Sequence, residues 1–227
     1  MKSYTKQKIY SKSSGINFVG VFKDLTCAGN EELKIFMDCE DSRPTTKTED
    51  WTGDSYADRN KNLTLKFCIV PNNFVKTNYD YAILNLTSNV PNSTIRIDRY
   101  FDNQDRKNAN NSTINGSLTQ GWKGYTLLSG GNYQLSWIMY QKTNSSQALP
   151  SFNMSYGVLG RFGTNKYNKG YILSDDEDSR NANRCDVYNY SSSGIKTLLP
   201  IGSQRSSILR NMMTEGRNTK LYLSKVN

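Results

Sequence analysis

The stretch from Asn62 to Pro71, NLTLKFCIVP, alternates side chains with a period of two: Leu63, Leu65, Phe67 and Ile69 share one face, and Thr64, Lys66, Cys68 and Val70 share the other. That rhythm predicts a strand with one face against a core. The theme returns in YDYAILNL (Tyr79 to Leu86) and in TIRIDRYF (Thr94 to Phe101), the second with Ile95, Ile97, Arg99 and Phe101 on one side. INFVGVF (Ile16 to Phe22) is short, apolar, β-branched and aromatic, the composition of a core strand. In GYTLLSGGNYQLSWIMYQ, Gly130 and Gly131 sit between two alternating runs and supply the positive φ that a tight hairpin turn needs.

Further strands are expected at Phe152 to Val158, Gly170 to Leu173, Arg184 to Tyr190, Ile195 to Leu199 and Lys220 to Val226, while Glu31 to Cys39 fits a helix or a strand. Only SQRSSILRNMMTEG reads as a helix, with Ser206 or Ser207 as its cap, Ile208, Leu209, Met212 and Met213 as an apolar stripe and Gly216 beyond its end. About ten short strands and one short C-terminal helix predict an all-β chain, an antiparallel sandwich or jelly-roll-like domain. Residues 1–15 read as a basic extended arm, residues 16–227 as a single domain, and residues 40–61 and 102–121 as long loops.

An apolar fraction of 36% is low for a globular chain, but 15 Tyr, 8 Phe and 3 Trp provide large buried areas, so the chain can fold. Tyr and Asn also make adhesive surfaces, because they offer contact area and hydrogen bonds at little entropic cost. The net charge of +9 favours an anionic partner such as nucleic acid, another polyanion or a membrane surface. The clearest clustering of cations is the arm, Lys2, Lys6, Lys8 and Lys12. No apolar run is long enough for a transmembrane segment. The amino end lacks the apolar core of a secretory signal, as expected of a cytoplasmic product or of a mature form without its leader.

The chain contains no histidine, and with it go the usual general base, triad member and transition-metal ligand near neutral pH. No GxSxG, GxxxxGK[ST] or HExxH motif occurs either, so the expectation is a protein that is not an enzyme and needs no cofactor. The acidic run Asp175, Asp176, Glu177 and Asp178 is the one cluster suited to a hard cation; Asp175, Asp176 and Asp178 are candidate calcium ligands, although EF-hand spacing is absent. Of the cysteines Cys27, Cys39, Cys68 and Cys185, the first two lie twelve apart around Gly29 and Asn30 and are the expected disulfide pair; Cys185 reads as buried or bridged. Cations interleaved with rings, as in Arg96, Arg99, Tyr100 and Phe101, are able to stack on sugars or bases, but the pleat also accounts for them as one core face and one wet face.

Two functions are compatible with these features. The first is a non-catalytic, self-assembling structural protein, a viral or phage particle subunit of the coat, capsid-associated or occlusion-body type, self-associating and using its arm on nucleic acid or a neighbouring subunit in the virion. The second is a secreted or cell-surface adhesin, lectin-like or toxin-type binding domain that recognises a glycan or receptor through loops 40–61 and 102–121.

Overall fold

The computed structural model describes residues 18–28, 31–38, 47–58, 62–87, 90–102, 113–115, 125–127, 132–162, 169–174, 183–216 and 218–227. Its strands are β1 (Phe18–Lys23), β2 (Glu32–Asp38), β3 (Lys47–Glu49), β4 (Tyr56–Ala57), β5 (Asn62–Pro71), β6 (Tyr81–Asn85), β7 (Ile95–Phe101), β8 (Thr113–Asn115), β9 (Tyr125–Leu127), β10 (Tyr133–Tyr140), β11 (Tyr156–Leu159), β12 (Lys169–Ser174), β13 (Arg184–Tyr190), β14 (Lys196–Leu198) and β15 (Thr219–Val226). One helix, α1 (Ser203–Leu209), lies between β14 and β15. The chain is all-β and antiparallel, sandwich-like, with its single helix near the C-terminus.

β1 is the branch point. Val19 and Gly20 pair with Asn85 and Leu84 of β6, Phe22 and Lys23 with Gly157 and Tyr156 of β11, and the opposite edge pairs with β5 from Phe18↔Pro71 to Phe22↔Phe67. Gly20 fits this crossing closely, because a Cβ there would lie 3.1 Å from Leu84 Cβ and would push that side chain back by a few tenths of an ångström. From β1 the hydrogen-bonded path runs one way through β6, β10, β7 and β13 to β14, and the other way through β11, β15 and β12 to β3; β5 carries β2 and β4, and β2 carries β8.

Burial is two-sided where the period of two predicts one buried face. Leu63, Leu65, Phe67 and Ile69 of β5 enter the main core with Leu33, Ile35 and Met37 of β2, whereas Cys68 and Val70 enter a second core on the opposite face. β6 divides likewise, Ala82 and Leu84 inward, Tyr81 and Ile83 into the second core. Segments 72–80 and 141–155 cover that second face with Phe74, Leu149, Phe152 and Met154. The hydroxyls of Tyr81, Tyr140 and Tyr156 donate to Val75 O, Asn72 Oδ1 and Pro150 O, so burying these amphipathic rings leaves no polar end unpaired.

The structure departs from the sequence reading at several places. Residues 31–39, open to two interpretations, form β2, because a strand puts Leu33, Ile35 and Met37 all on the core side. The expected loop 40–61 contains β3 and β4 and sends Trp51 into the core, over Gly157, where a Cβ would fall 2.3 Å from the indole. Thr113–Asn115, inside the expected loop 102–121, pairs with β2. α1 starts at Ser203, so Ser206 and Ser207 are internal rather than caps; Met212 and Met213 follow the helix and lie beside β15, with Tyr222 N–H donating to Met212 O at 2.9 Å. β9 and β10 pair as the predicted hairpin up to Leu127↔Tyr133, although Gly130 and Gly131 are outside the described residues, as is the arm with Lys2, Lys6, Lys8 and Lys12.

The disulfide joins Cys27 to Cys68, which corrects the expected Cys27–Cys39 bridge. Register explains the choice. Cys68 lies opposite Glu32 at the start of β2, whereas Asp38 at its end lies opposite Asn62, six residues or about 20 Å further along β5. Cys39 itself is outside the described residues.

Two predictions follow from the second core. Reducing the bridge, or replacing both cysteines with Ser, frees residues 41 apart in sequence and lowers unfolding stability by about 3 to 4 kcal/mol, read as a lower urea midpoint with a slope that stays equal or rises as the unfolded chain expands. Burial raises the Tyr81, Tyr140 and Tyr156 phenols above the ordinary value of 10.0, with Tyr140 adding to the shift at Tyr81. For an acid whose folded pKa is raised, the stabilisation is complete below the unfolded pKa near 10 and is lost as pH climbs towards the folded value. Stability therefore falls above about pH 10, and these three rings release their protons only on unfolding; an alkaline absorbance titration in which all 15 tyrosines ionise together in the folded protein would contradict this.

Candidate functional site

At the end of the sheet formed by β10, β7, β13 and β14, the pleat sorts residues into an inner and an outer set. Ile95, Ile97, Arg99 and Phe101 of β7 and Cys185 and Val187 of β13 are buried. Arg96, Asp98 and Tyr100 of β7, Arg184, Asp186, Tyr188 and Tyr190 of β13, Gln134 and Ser136 of β10, and Lys196 and Leu198 of β14 point the other way. Along β10 this outer face is continuous with the second core at Ile138 and Tyr140; Asp98 and Ser136 are buried in it, Tyr100, Asp186, Tyr188 and Tyr190 are partly exposed, and Arg184 and Lys196 are exposed.

Its chemistry is a lattice of rings, cations and carboxylates set by cross-strand register. Asp186 lies opposite Asp98, an arrangement that two cations relieve: Arg96 Nε contacts Asp98 Oδ1 at 2.6 Å, and Arg184 Nε lies 3.8 Å from Asp186 Oδ2. Ser136 donates to the same Asp98 oxygen at 2.7 Å and accepts from Arg96 Nη2 at 3.1 Å. Burial opposes the Arg96 charge, and Asp98 more than offsets it, so the guanidinium is held above its ordinary range. The Arg184 guanidinium lies 4.5 Å over the Tyr100 ring and the Lys196 ammonium 3.8 Å over Tyr188, while Asn132 donates to the Tyr100 hydroxyl at 2.9 Å. Partial burial, aided by Asp102 and Asp186 respectively, raises the phenols of Tyr100 and Tyr188, so both remain hydroxyl donors at neutral pH. The face thus presents apolar ring surface beside donors and acceptors held by fixed partners.

Beneath it Arg99 is fully buried. It donates to Thr214 O at 3.2 Å, Gly216 O at 3.1 Å, Thr219 Oγ1 and Cys185 Sγ at 3.4 Å, and stacks 5.6 Å over Phe101; among the described residues no carboxylate pairs with it. Its charge is spread over carbonyl dipoles, and the chain after α1 is thereby anchored to β7. That chain borders an open depression of about 790 Å³ lined by Ser206, Leu209, Arg210, Glu215 and Tyr222, with Arg205 ion-paired to Glu215. Cys185, beneath it, is a buried free thiol; burial pushes its pKa up against the pull of Arg99, so it stays protonated and a poor nucleophile.

The run of Arg96, Arg99, Tyr100 and Phe101 is therefore divided, two residues facing outward and two forming core. Asp175, Asp176 and Asp178, the candidate calcium ligands, lie outside the described residues, and among the described residues no three Asp, Glu or Cys side chains cluster as a metal site. Loops 40–61 and 102–121 are the expected recognition elements, whereas this lattice of rings and cations lies on the sheet, Tyr188 and Tyr190 within the alternating RCDVYNY and Lys196 in β14.

A family model described as bacterial ApeC matches residues 1–145, which include β1 to β10. No curated protein and no solved structure matches the chain.

Arg99→Met removes the donor for Thr214 O, Gly216 O and Thr219 Oγ1 in a dry site and is expected to destabilise by about 3 kcal/mol or more, whereas Arg96→Met, on the half-exposed outer face, costs less. Urea unfolding of the two variants measures the difference; equal costs would show that the buried guanidinium is not an anchor.

Proposed function

Because the chain belongs to the bacterial ApeC family and bears this open, ring-bearing sheet face, we propose that it is a non-catalytic recognition module that binds a glycan outside the reducing cytoplasm. The outer face of β10, β7, β13 and β14 carries the proposal. Sugar hydroxyls both donate and accept, and their apolar ring faces stack on aromatics; here Arg184 and Lys196 donate, Asp186 accepts, and Tyr100, Tyr188 and Tyr190 offer ring area. Tyr188 lies opposite Arg96, four residues along β7 from Tyr100, so Tyr100 and Tyr188 are about 14 Å apart, a spacing that suits an oligosaccharide better than one sugar ring. The Cys27–Cys68 disulfide supports the compartment, since such bonds persist where glutathione and thioredoxin do not reduce them.

Between the two expected functions, this reading takes the secreted binding domain and moves its surface from the loops to the sheet. Part of loop 40–61 is committed to β3, β4 and the seating of Trp51. The particle-subunit function drew in part on the lysine arm, which lies outside the described residues.

Tyr188→Ala combined with Arg184→Ala should reduce binding to a glycan identified on an array by at least about tenfold, with thermal unfolding unchanged. Full binding by the folded double variant would refute the assignment, and large self-assemblies with no glycan bound would return the particle subunit to first place.

A further inference from the structure

We infer that the edge of the molecule formed by β14 and the turn into α1 docks on an anionic lipid surface. Ile195, Leu198 and Ile201 are 65%, 54% and 82% exposed, three large apolar side chains within seven residues, where isolated exposed residues are the norm. They sit at the end of the strand path, where β14 has β13 as its one strand partner among the described residues. The charged side chains nearest them in sequence are cationic. Lys196 lies between Ile195 and Leu198, Arg205 in α1 is paired with Glu215, and Arg210 follows α1. Lys196 and Arg210 are exposed and leave their charge to solvent beside the apolar residues.

The combination selects the occupant. A soluble polyanion would be met by the cations but would leave Ile201 and Leu198 in water. A second strand, whether from another copy or another protein, would need a usable edge. Leu199 N–H donates to Val187 O, and Ser191 N–H to Ile195 O, so Lys196 and Leu198 turn their own backbone groups outward. That edge is only three residues long, carries Lys196 and ends at Pro200, the devices by which sheets resist strand addition. A bilayer surface takes both parts: the apolar tips enter the boundary between headgroups and acyl chains, and the cations meet anionic headgroups. No helix of the described residues is long and apolar enough to cross a membrane, so the contact is peripheral.

The test is co-sedimentation of the full chain with phosphatidylcholine vesicles, with and without phosphatidylglycerol. The protein should pellet with the anionic vesicles, less so as salt is raised, and Ile195→Ser with Ile201→Ser, neither on the outer face with Tyr188, should weaken partitioning by at least about tenfold. Lys196→Gln with Arg210→Gln should weaken it at low salt and leave the residual binding nearly independent of salt. Near-UV circular dichroism and binding of the array glycan, which relies on Tyr100 and Tyr188, should persist in the Ser variant and separate this proposal from the glycan one. No binding to anionic vesicles, unchanged partitioning of the Ser variant, or a vesicle-free dimer that the same substitutions dissociate would each overturn it.

Discussion

Phe22 stacks on Trp137 with ring centroids 5.6 Å apart, tilts against Phe67 at 4.8 Å and meets the edge of Trp51 at 6.2 Å. These four rings come from β1, β10, β5 and the segment between β3 and β4, so a single contact set ties together regions over a hundred residues apart. Aromatic pairs in such offset and edge geometries contribute beyond the area they bury, and here they also locate the chain crossings. Gly20 and Gly157 are side-chain-free where Leu84 and Trp51 must approach, so the strands around β1 close on one another without a gap.

With the main core held in this way, the opposite face of the sheet divides. Over β1, β5, β6 and β11, segments 72–80 and 141–155 roof a second core rich in Tyr and Phe, and the disulfide ties that roof's neighbourhood to β5. Over β7, β13 and β14 the residues change to Arg, Asp, Tyr and Lys, with Asp98 buried, the tyrosines partly exposed and Arg184 and Lys196 exposed. Covered and open halves use the same residue type, tyrosine, for different ends: Tyr81 and Tyr156 direct their hydroxyls to backbone carbonyls beneath a loop, whereas Tyr100 and Tyr188 lie under exposed cations. The buried Arg99 links this half to the chain after α1, so the outer sheet face and the chain that follows Ile201 share one anchored scaffold.

Much of the strand content was legible because a pleated strand leaves a local trace. Residues 184–190 and 62–71 form strands with the bounds their alternation indicates, and Ile95 to Phe101 bury the face anticipated for them, Arg99 included. β3 and β4 were not legible, since strands of three and two residues contain less than one full repeat of any pattern. The helix starts earlier than expected, capped at Gly202 rather than Ser206 or Ser207, and Met212 and Met213 satisfy an i, i+3, i+4 stripe equally well beside a strand. The candidate site was legible only as fragments: Arg96 and Tyr100 stood out beside one another, but their partners Ser136, Arg184 and Tyr188 are 40 to 92 residues away.

By itself the sequence determined an antiparallel, histidine-free, cationic β protein, because strand periodicity and side-chain chemistry are properties of neighbouring residues. Which cysteine meets Cys27, that both faces of β5 would be buried, and which tyrosines would stay partly exposed were decided only in the tertiary structure. Those outcomes depend on register between strands distant in the chain, and a shift of one residue would exchange the buried and exposed sets while leaving every local pattern unchanged.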